Sequence, residues 1–175
     1  MRRRSQWLGI VWLAAVWVLL WGDLTWGNVL AGLVLGAVVT WGLRMVAVDF
    51  HGRVHPWRVL VLLARFAVDV VRASIEVATI ALTPGYTPRG AVIGVQLRSH
   101  SDLYLTLTAE LVSLVPGSLV VEAHRLTGML YLHVLDLDRS GGVEAVRADV
   151  LAQEERLLRA LASPQEQAAA GMVPA

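Results

Sequence analysis

The first part of the chain contains two long apolar runs. No charged residue occurs within residues 5–22 or within residues 24–43. A helix of about 20 residues spans the roughly 30 Å hydrocarbon core of a bilayer. Because so few residues separate the runs, we predict a hairpin of two transmembrane helices within residues 1–50. Tryptophans bracket both runs, as in the aromatic belts of membrane proteins: Trp7, Trp21, Trp26 and Trp41.

Basic residues predict the orientation of this hairpin. Arg2, Arg3 and Arg4 precede the first run, Arg44, Arg53 and Arg58 follow the second, and the connection carries only Asp23. Basic residues favour the cytoplasmic side, so we expect both ends of the hairpin to face the cytoplasm. A secretory signal peptide is disfavoured because a second apolar run follows at once and no small-residue cleavage pattern is present.

The second apolar run carries small or polar residues at every fourth position. They are Asn28, Gly32, Gly36 and Thr40, which share one side of a helix. Such a ridge allows close helix contact in lipid. Two interpretations remain open: the ridge packs against the first helix of the same hairpin, or it contacts another membrane subunit.

Within residues 51–83, the spacing of apolar and charged positions predicts an amphipathic helix that begins at Pro56 and ends at Leu82. Its charged residues lie on one stripe, where we expect an alternating ladder of ion pairs. A helix in the cytoplasmic interface keeps these charges hydrated and buries the apolar face, so we favour it over a third membrane span. The stripe contains Arg58, Arg65, Asp69, Arg72 and Glu76.

The residues before this helix include two histidines four positions apart, His51 and His55. That spacing suits metal binding on a helix. Gly52 and Pro56 break a helix here, so we predict a turn and no metal site.

After a Pro- and Gly-rich linker at 84–90, the pattern predicts a small α/β domain at 91–162, which we expect on the cytoplasmic side. The elements alternate as β-α-β-β-α, most of a ferredoxin-like α+β domain. Residues 163–175, rich in Ala and Gln, are expected to form a disordered tail. The predicted elements are a strand at 91–97, a helix at 101–115, strands at 118–124 and 129–136, and a helix at 142–162.

The two consecutive strands predict their own register. A two-residue turn at Thr127 and Gly128 pairs Val121 with Val134 and Ala123 with Leu132 on an apolar face. The other face would then pair Glu122 with His133 and His124 with Tyr131.

Composition excludes several classes of function. The chain has no cysteine, which removes thiol nucleophiles and thiolate metal sites, and its net charge of +1 does not favour nucleic acid. It contains no phosphate-binding loop, dinucleotide fingerprint, nucleophile elbow or zinc-protease motif. We therefore predict no catalytic residue, no cofactor and no metal, and we do not expect an enzyme.

Five segments, in this order and spacing, resemble the E-subunit family of the Mrp-type monovalent cation/proton antiporters. The resemblance covers about residues 5–160, with one departure, Val115, where the family has a Thr before Pro-Gly. The segments are Gly-Asn-Val-Leu-Ala-Gly-Leu-Val-Leu-Gly (27–36), Asp-Val-Val-Arg-Ala-Ser (69–74), Arg-Ser-His-Ser-Asp-Leu (98–103), Leu-Val-Pro-Gly-Ser-Leu (114–119) and Leu-Tyr-Leu-His-Val-Leu-Asp (130–136).

The resemblance implies an accessory subunit of a multi-subunit Na⁺/H⁺ antiporter in the bacterial cell membrane, whose partner subunits handle Na⁺ and H⁺. It implies no catalytic residue here, and the hairpin carries no ionisable residue for an ion path between Asp23 and Arg44. The expected contacts with other subunits and the bilayer are the Asn28–Thr40 ridge and the helix of residues 56–82. The alternative is an independent membrane-tethered binding or sensory module.

Overall fold

The computed structural model describes residues 2–42 and 52–173. Arg44 and His51 therefore lie outside the described residues. The chain divides into two compact units, with the boundary between residues 49 and 50. The helices and strands are α1 (Arg2–Trp21), α2 (Trp26–Gly42), α3 (Pro56–Leu82), β1 (Ala91–Gln96), α4 (Asp102–Leu114), β2 (Ser118–His124), β3 (Met129–Val134), α5 (Val143–Leu161) and α6 (Pro164–Ala169).

The first unit is a pair of packed helices, α1 and α2, joined by residues 22–25. Gly22 has a φ of 73°, a left-handed conformation that suits glycine in a tight connection. The Thr25 side chain accepts a hydrogen bond from the Asn28 backbone N–H at 3.2 Å, which caps the start of α2. Within the part of the chain that the structure describes, no helix combines the length and hydropathy needed to cross a membrane.

The second unit contains a three-stranded sheet in the order β1-β3-β2. Since β3 is antiparallel to both neighbours, β1 and β2 run in the same direction with β3 between them. One face of the sheet packs against α4 and α5 around Leu130, Leu132 and Val134, which are at most 2% exposed. Alternation along β3 places these three apolar side chains on the same face.

The predicted register between β2 and β3 is wrong. Leu132 pairs with Val120 rather than with Ala123, and Val134 pairs with Ser118 rather than with Val121. The connection is a longer loop, residues 125–128, and β2 is irregular between Val120 and Glu122. The extra residue shifts the register, so Val121 is 62% exposed.

The predicted disorder of the tail is corrected for residues 163–170. Ser163 caps α6 through a capping box with Glu166, which satisfies the N–H groups at the start of this short helix. Gln167 and Ala170 are buried, and Ala170 belongs to a second apolar cluster that joins α3, α4 and α5. The cap and the buried contacts order a segment whose composition alone indicates a flexible tail.

Candidate interaction surfaces

The small residues of α2 pack against α1 of the same hairpin. A Cβ atom on Gly36 would lie 2.9 Å from the Ile10 carbonyl oxygen, and one on Gly32 would lie 3.1 Å from Ala14 Cα. Both glycines are buried. Of the two interpretations of the ridge, the structure thus shows the contact within the hairpin.

The ends of this ridge have lesser roles in helix packing. The Asn28 side chain donates to the Asp23 carbonyl at 3.0 Å and closes the connection between the helices. Thr40 is half-buried near the end of α2. The large apolar side chains on the outside of the hairpin remain exposed, including Trp12 at 70%, Leu19 at 79% and Val34 at 61%.

Helix α3 has two sides with opposite environments. One side packs against α5, where Leu62 lies in an apolar cluster with Leu157 and Leu158. The other side exposes its large apolar residues to the surroundings. They are Trp57, Leu60, Val61, Leu63, Val68, Val71, Ile75 and Leu82, each at least 42% exposed.

The predicted ladder of ion pairs along α3 is replaced by contacts to α5. Arg156 of α5 donates to the Asp69 carboxylate at 2.9 Å and also to Gln153 at 2.9 Å. Arg58 donates to the carbonyl oxygen of Arg159 at 3.2 Å. Sequence spacing could not identify Arg156 as the partner of Asp69, because the two residues are 87 positions apart.

The other charged residues of the stripe have no ion-pair partner among residues 2–42 and 52–173. These are Arg65, Arg72 and Glu76; the two arginines are exposed and Glu76 is half-buried. Some charged residues of the stripe therefore attach α3 to α5, and the others have no ion-pair partner in the described residues and can bind a partner molecule.

A cleft of about 500 Å³ lies between the C-terminal half of α3, the N-terminal half of α5 and the sheet. Arg72 and Glu76 line it from α3, and Asp149 lines it from α5. Its lining also includes the apolar residues Val112, Val134 and Val150. Among the described residues, no group of three or more His, Cys, Asp or Glu side chains could hold a metal ion.

A polar cluster that sequence reasoning missed ties the linker to the domain. The Tyr86 hydroxyl donates to the buried carboxylate of Asp136, and the Arg139 guanidinium lies 4.6 Å from the centre of the Tyr86 ring. Arg139 also donates to the Thr79 hydroxyl of α3 at 3.2 Å. The hydrogen bond from Tyr86 lowers the pKa of Asp136 below its ordinary value, and the same bond raises the pKa of Tyr86.

A second buried carboxylate, Glu154, was also missed. Its oxygens accept hydrogen bonds from the backbone N–H groups of Arg98 and Ser99 at 3.1 and 2.8 Å, and the residue is 0% exposed. These two N–H groups follow β1, where the sheet offers no partner. The signal in the sequence was a glutamate on the buried stripe of α5 that also contains Val150 and Leu157.

Two solved structures of membrane complexes contain chains that are similar to this one. A chain of the membrane-bound sulfane sulfur reductase, an archaeal respiratory membrane complex, matches with a TM-score of 0.65 and 17% identity over 87% of this chain and 96% of that chain. A chain of the Mrp complex from Dietzia sp. matches with a TM-score of 0.42 and 24% identity over 61% of this chain and 97% of that chain.

Sequence comparison places the chain in a family. The E-subunit of the Na⁺/H⁺ antiporter of Alkalihalophilus pseudofirmus is 29% identical over 94 residues, which cover 54% of this chain and 59% of that relative. The match therefore spans little more than half of the length of the relative. The profile of the Na⁺/H⁺ ion antiporter subunit family MNHE matches residues 10–160, most of the chain. The chain thus belongs to the MNHE family of Na⁺/H⁺ ion antiporter subunits.

Proposed function

We propose that this chain is a non-catalytic accessory subunit that supports assembly of a multi-subunit Na⁺/H⁺ antiporter in the bacterial cell membrane. The observation that carries the proposal is the exposed apolar side of α3, which faces away from the domain attached to the same helix. A large exposed apolar surface marks a contact with a protein or a membrane. Partner subunits carry out the exchange of Na⁺ and H⁺.

The hairpin of α1 and α2 is the membrane anchor in this proposal. Its inner contact is closed by Gly32 and Gly36, and its outer surface is apolar. Basic residues at both ends of the hairpin favour a cytoplasmic N-terminus and a cytoplasmic C-terminal domain.

Helix α3 lies in the cytoplasmic interface of the membrane in this proposal. The side of α3 that would otherwise need water is covered by α5, whose own charged residues, such as Glu155 and Arg159, are incompatible with hydrocarbon. On the exposed side, the Ser74 hydroxyl donates to the Val70 carbonyl of the same helix at 2.7 Å, which suits an apolar environment. These contacts support an interfacial helix over a third span.

The domain of residues 91–162 is a ferredoxin-like unit of three strands that caps the cytoplasmic side. The order β1-β3-β2, with α4 connecting the parallel strands β1 and β2, supports this assignment.

The test is affinity purification of the tagged chain from its native membrane in mild detergent. We expect the large multi-span subunits to co-purify with the wild type and to be lost with Val68→Asn/Val71→Asn, because both valines lie on the apolar side of α3 and are 60% exposed. Val121→Asn is the matched control, since Val121 is 62% exposed on the sheet.

A second candidate function, an independent membrane-tethered binding or sensory module, is favoured by the cleft between α3, α5 and the sheet. Recovery of the wild-type chain alone, under conditions that preserve other membrane complexes, would contradict the subunit proposal and support this module instead.

A further inference from the structure

The fold provides no ion-pair partner for Arg65 or Arg72 among the described residues. In an isolated helix, Asp69 would lie within reach of both arginines, at i+4 from Arg65 and i−3 from Arg72. In the folded chain, Arg156 binds Asp69 at 2.9 Å, and neither Arg65 nor Arg72 has an ion-pair partner in the described residues. Two exposed positive charges therefore remain on α3.

Both arginines lie at the same edge of the apolar side of α3. Arg65 has the exposed Val68 at i+3 and the domain-facing Asp69 at i+4. Seven residues later, Arg72 repeats this arrangement with the exposed Ile75 and the half-buried Glu76. Seven residues are nearly two helical turns, so the arginines lie on one side of the helix about 10 Å apart.

The opposite edge of the apolar side carries no charge. Leu63, Ala67 and Ser74 are exposed there, and the Ser74 hydroxyl is bonded within the helix. Arg58 lies on the same edge as Arg65 and Arg72, but its guanidinium is bound to the Arg159 carbonyl. Positive charge is thus available along one edge only, at the boundary between the apolar side and the domain.

We propose that Arg65 and Arg72 bind the phosphate groups of anionic phospholipids and so hold α3 in the membrane surface. This inference rests on the proposed interfacial position of α3. Interfacial helices bury an apolar side at the headgroup boundary, where basic side chains at its edge reach anionic headgroups. The guanidinium group of each arginine matches the phosphate oxygens in charge and geometry.

The arrangement favours a lipid over a second copy of this chain. The exposed apolar side of α3 has arginines on one edge and no acidic residue on the other. Two copies packed antiparallel through this surface would bring the four arginines of the two edges together with two Glu76 carboxylates, because Asp69 is already bound to Arg156. A bilayer contacts the apolar surface along its length of about 40 Å and supplies phosphate groups at its edge.

The experiment uses the absence of cysteine in the chain. Val71→Cys, at a position 60% exposed on the apolar side, is labelled with an environment-sensitive fluorophore in the full chain. The protein is reconstituted in nanodiscs of phosphatidylcholine with increasing phosphatidylglycerol, and shielding of the probe from water is measured. Val121→Cys, 62% exposed on the sheet, is the label control.

We expect phosphatidylglycerol to increase shielding at Val71→Cys and not at Val121→Cys. Arg65→Gln/Arg72→Gln should lower the affinity for phosphatidylglycerol-containing nanodiscs by about 25-fold, at roughly fivefold for each basic residue, so that phosphatidylglycerol no longer increases the shielding of the probe. Arg89→Gln/Arg125→Gln, which removes one exposed arginine of the linker and one of the domain, should leave the response unchanged.

Three results would overturn the inference. The first is an unchanged response in Arg65→Gln/Arg72→Gln, which would assign these arginines to a protein partner if the same variant no longer co-purifies the large subunits. The second is an equal loss in Arg89→Gln/Arg125→Gln, which would mean bulk attraction. The third is the same increase in shielding from inorganic phosphate in pure phosphatidylcholine, which would indicate a site for free phosphate.

The two proposals fail in different ways. If the probe at Val71→Cys is as accessible to water as the probe at Val121→Cys in pure phosphatidylcholine, the interfacial position of α3 is wrong. If the probe is shielded but insensitive to phosphatidylglycerol, only the lipid inference fails.

Discussion

The guanidinium of Arg156 donates to the carboxylate of Asp69 at 2.9 Å and thereby joins α5 to α3. The side chains are 31% and 42% exposed, so the pair lies at the edge of the helix contact. Because Arg156 binds Asp69, this carboxylate stabilises the contact between α3 and α5, while Arg65 and Arg72 have no ion-pair partner among the described residues. A substitution of Asp69 therefore acts first within the chain, so it cannot by itself test a contact with a partner.

We expect Asp69→Asn to loosen α3 from α5 by about 1 kcal/mol, the upper range for a pair with this exposure. Hydrogen exchange of the α3 backbone should accelerate by about fivefold. Asp102→Asn is the control, because its pair with Arg125 is 3.8 Å long and its side chain is 62% exposed. If Asp69→Asn and Arg156→Gln add fully in the double variant, the two residues are not coupled.

The close contact of α1 and α2 predicts strong effects at Gly36. Gly36→Leu should separate the helices and lower the thermal stability of the hairpin, because even a Cβ would lie 2.9 Å from the Ile10 carbonyl. Six of the seven tryptophans lie in residues 7–41, so the melting of tryptophan fluorescence reports on this unit. Gly42→Leu should have little effect, since nothing lies within 4 Å of its Cβ position. Equal melting temperatures for the two variants would contradict the contact.

Because Glu154 is buried and accepts two backbone hydrogen bonds, we expect its replacement by glutamine to lower the free energy of unfolding. Glu154→Gln places an amide N–H₂ against one of the backbone N–H groups of Arg98 and Ser99. We expect a loss of about 2 kcal/mol in the free energy of unfolding, measured by urea denaturation with circular dichroism. Glu155→Gln, with a side chain 32% exposed, should cost less than about 1 kcal/mol. A smaller loss at Glu154 than at Glu155 would show that the two N–H groups find other partners.

The pair of Tyr86 and Asp136 predicts a dependence of stability on pH. The hydrogen bond from Tyr86 lowers the pKa of Asp136, so ionised Asp136 stabilises the folded state. This contribution is complete above the unfolded-state pKa of about 3.9 and is lost as the pH falls through the lowered folded-state pKa. The difference in melting temperature between wild type and Tyr86→Phe should thus be largest near neutral pH and should disappear in acid.

At high pH the stabilisation from the same hydrogen bond is lost as the pH rises, because Tyr86 ionises. The bond raises the pKa of Tyr86, so its contribution is present below the unfolded-state value of about 10 and is lost as the pH rises through the raised value. Tyr131→Phe is the control, since Tyr131 is 38% exposed on β3. A difference for Tyr86→Phe that persists in acid would rule out ionised Asp136 as its cause.

Local pattern predicted most of the elements because their causes are local. Apolar periodicity predicts α3, and its observed ends at Pro56 and Leu82 agree with the residues that begin and end the pattern. Glycine and proline in the linker predict the absence of regular structure at 84–90, which the structure shows. The prediction of a disordered tail failed because the order of this segment depends on the burial of Gln167 and Ala170 against distant residues.

By itself, the sequence determined the family, the helical hairpin, the amphipathic character of α3 and the order of elements in the domain. The family was indicated by the resemblance of five segments in their order and spacing. The other three follow from neighbouring residues, whose spacing sets the period of a helix or strand. The tertiary structure alone decided that Gly32 and Gly36 contact α1, that β2 carries its irregularity at Val121, and that Arg156 binds Asp69. These outcomes depend on which distant groups meet in space, and a short-range pattern carries no information about that.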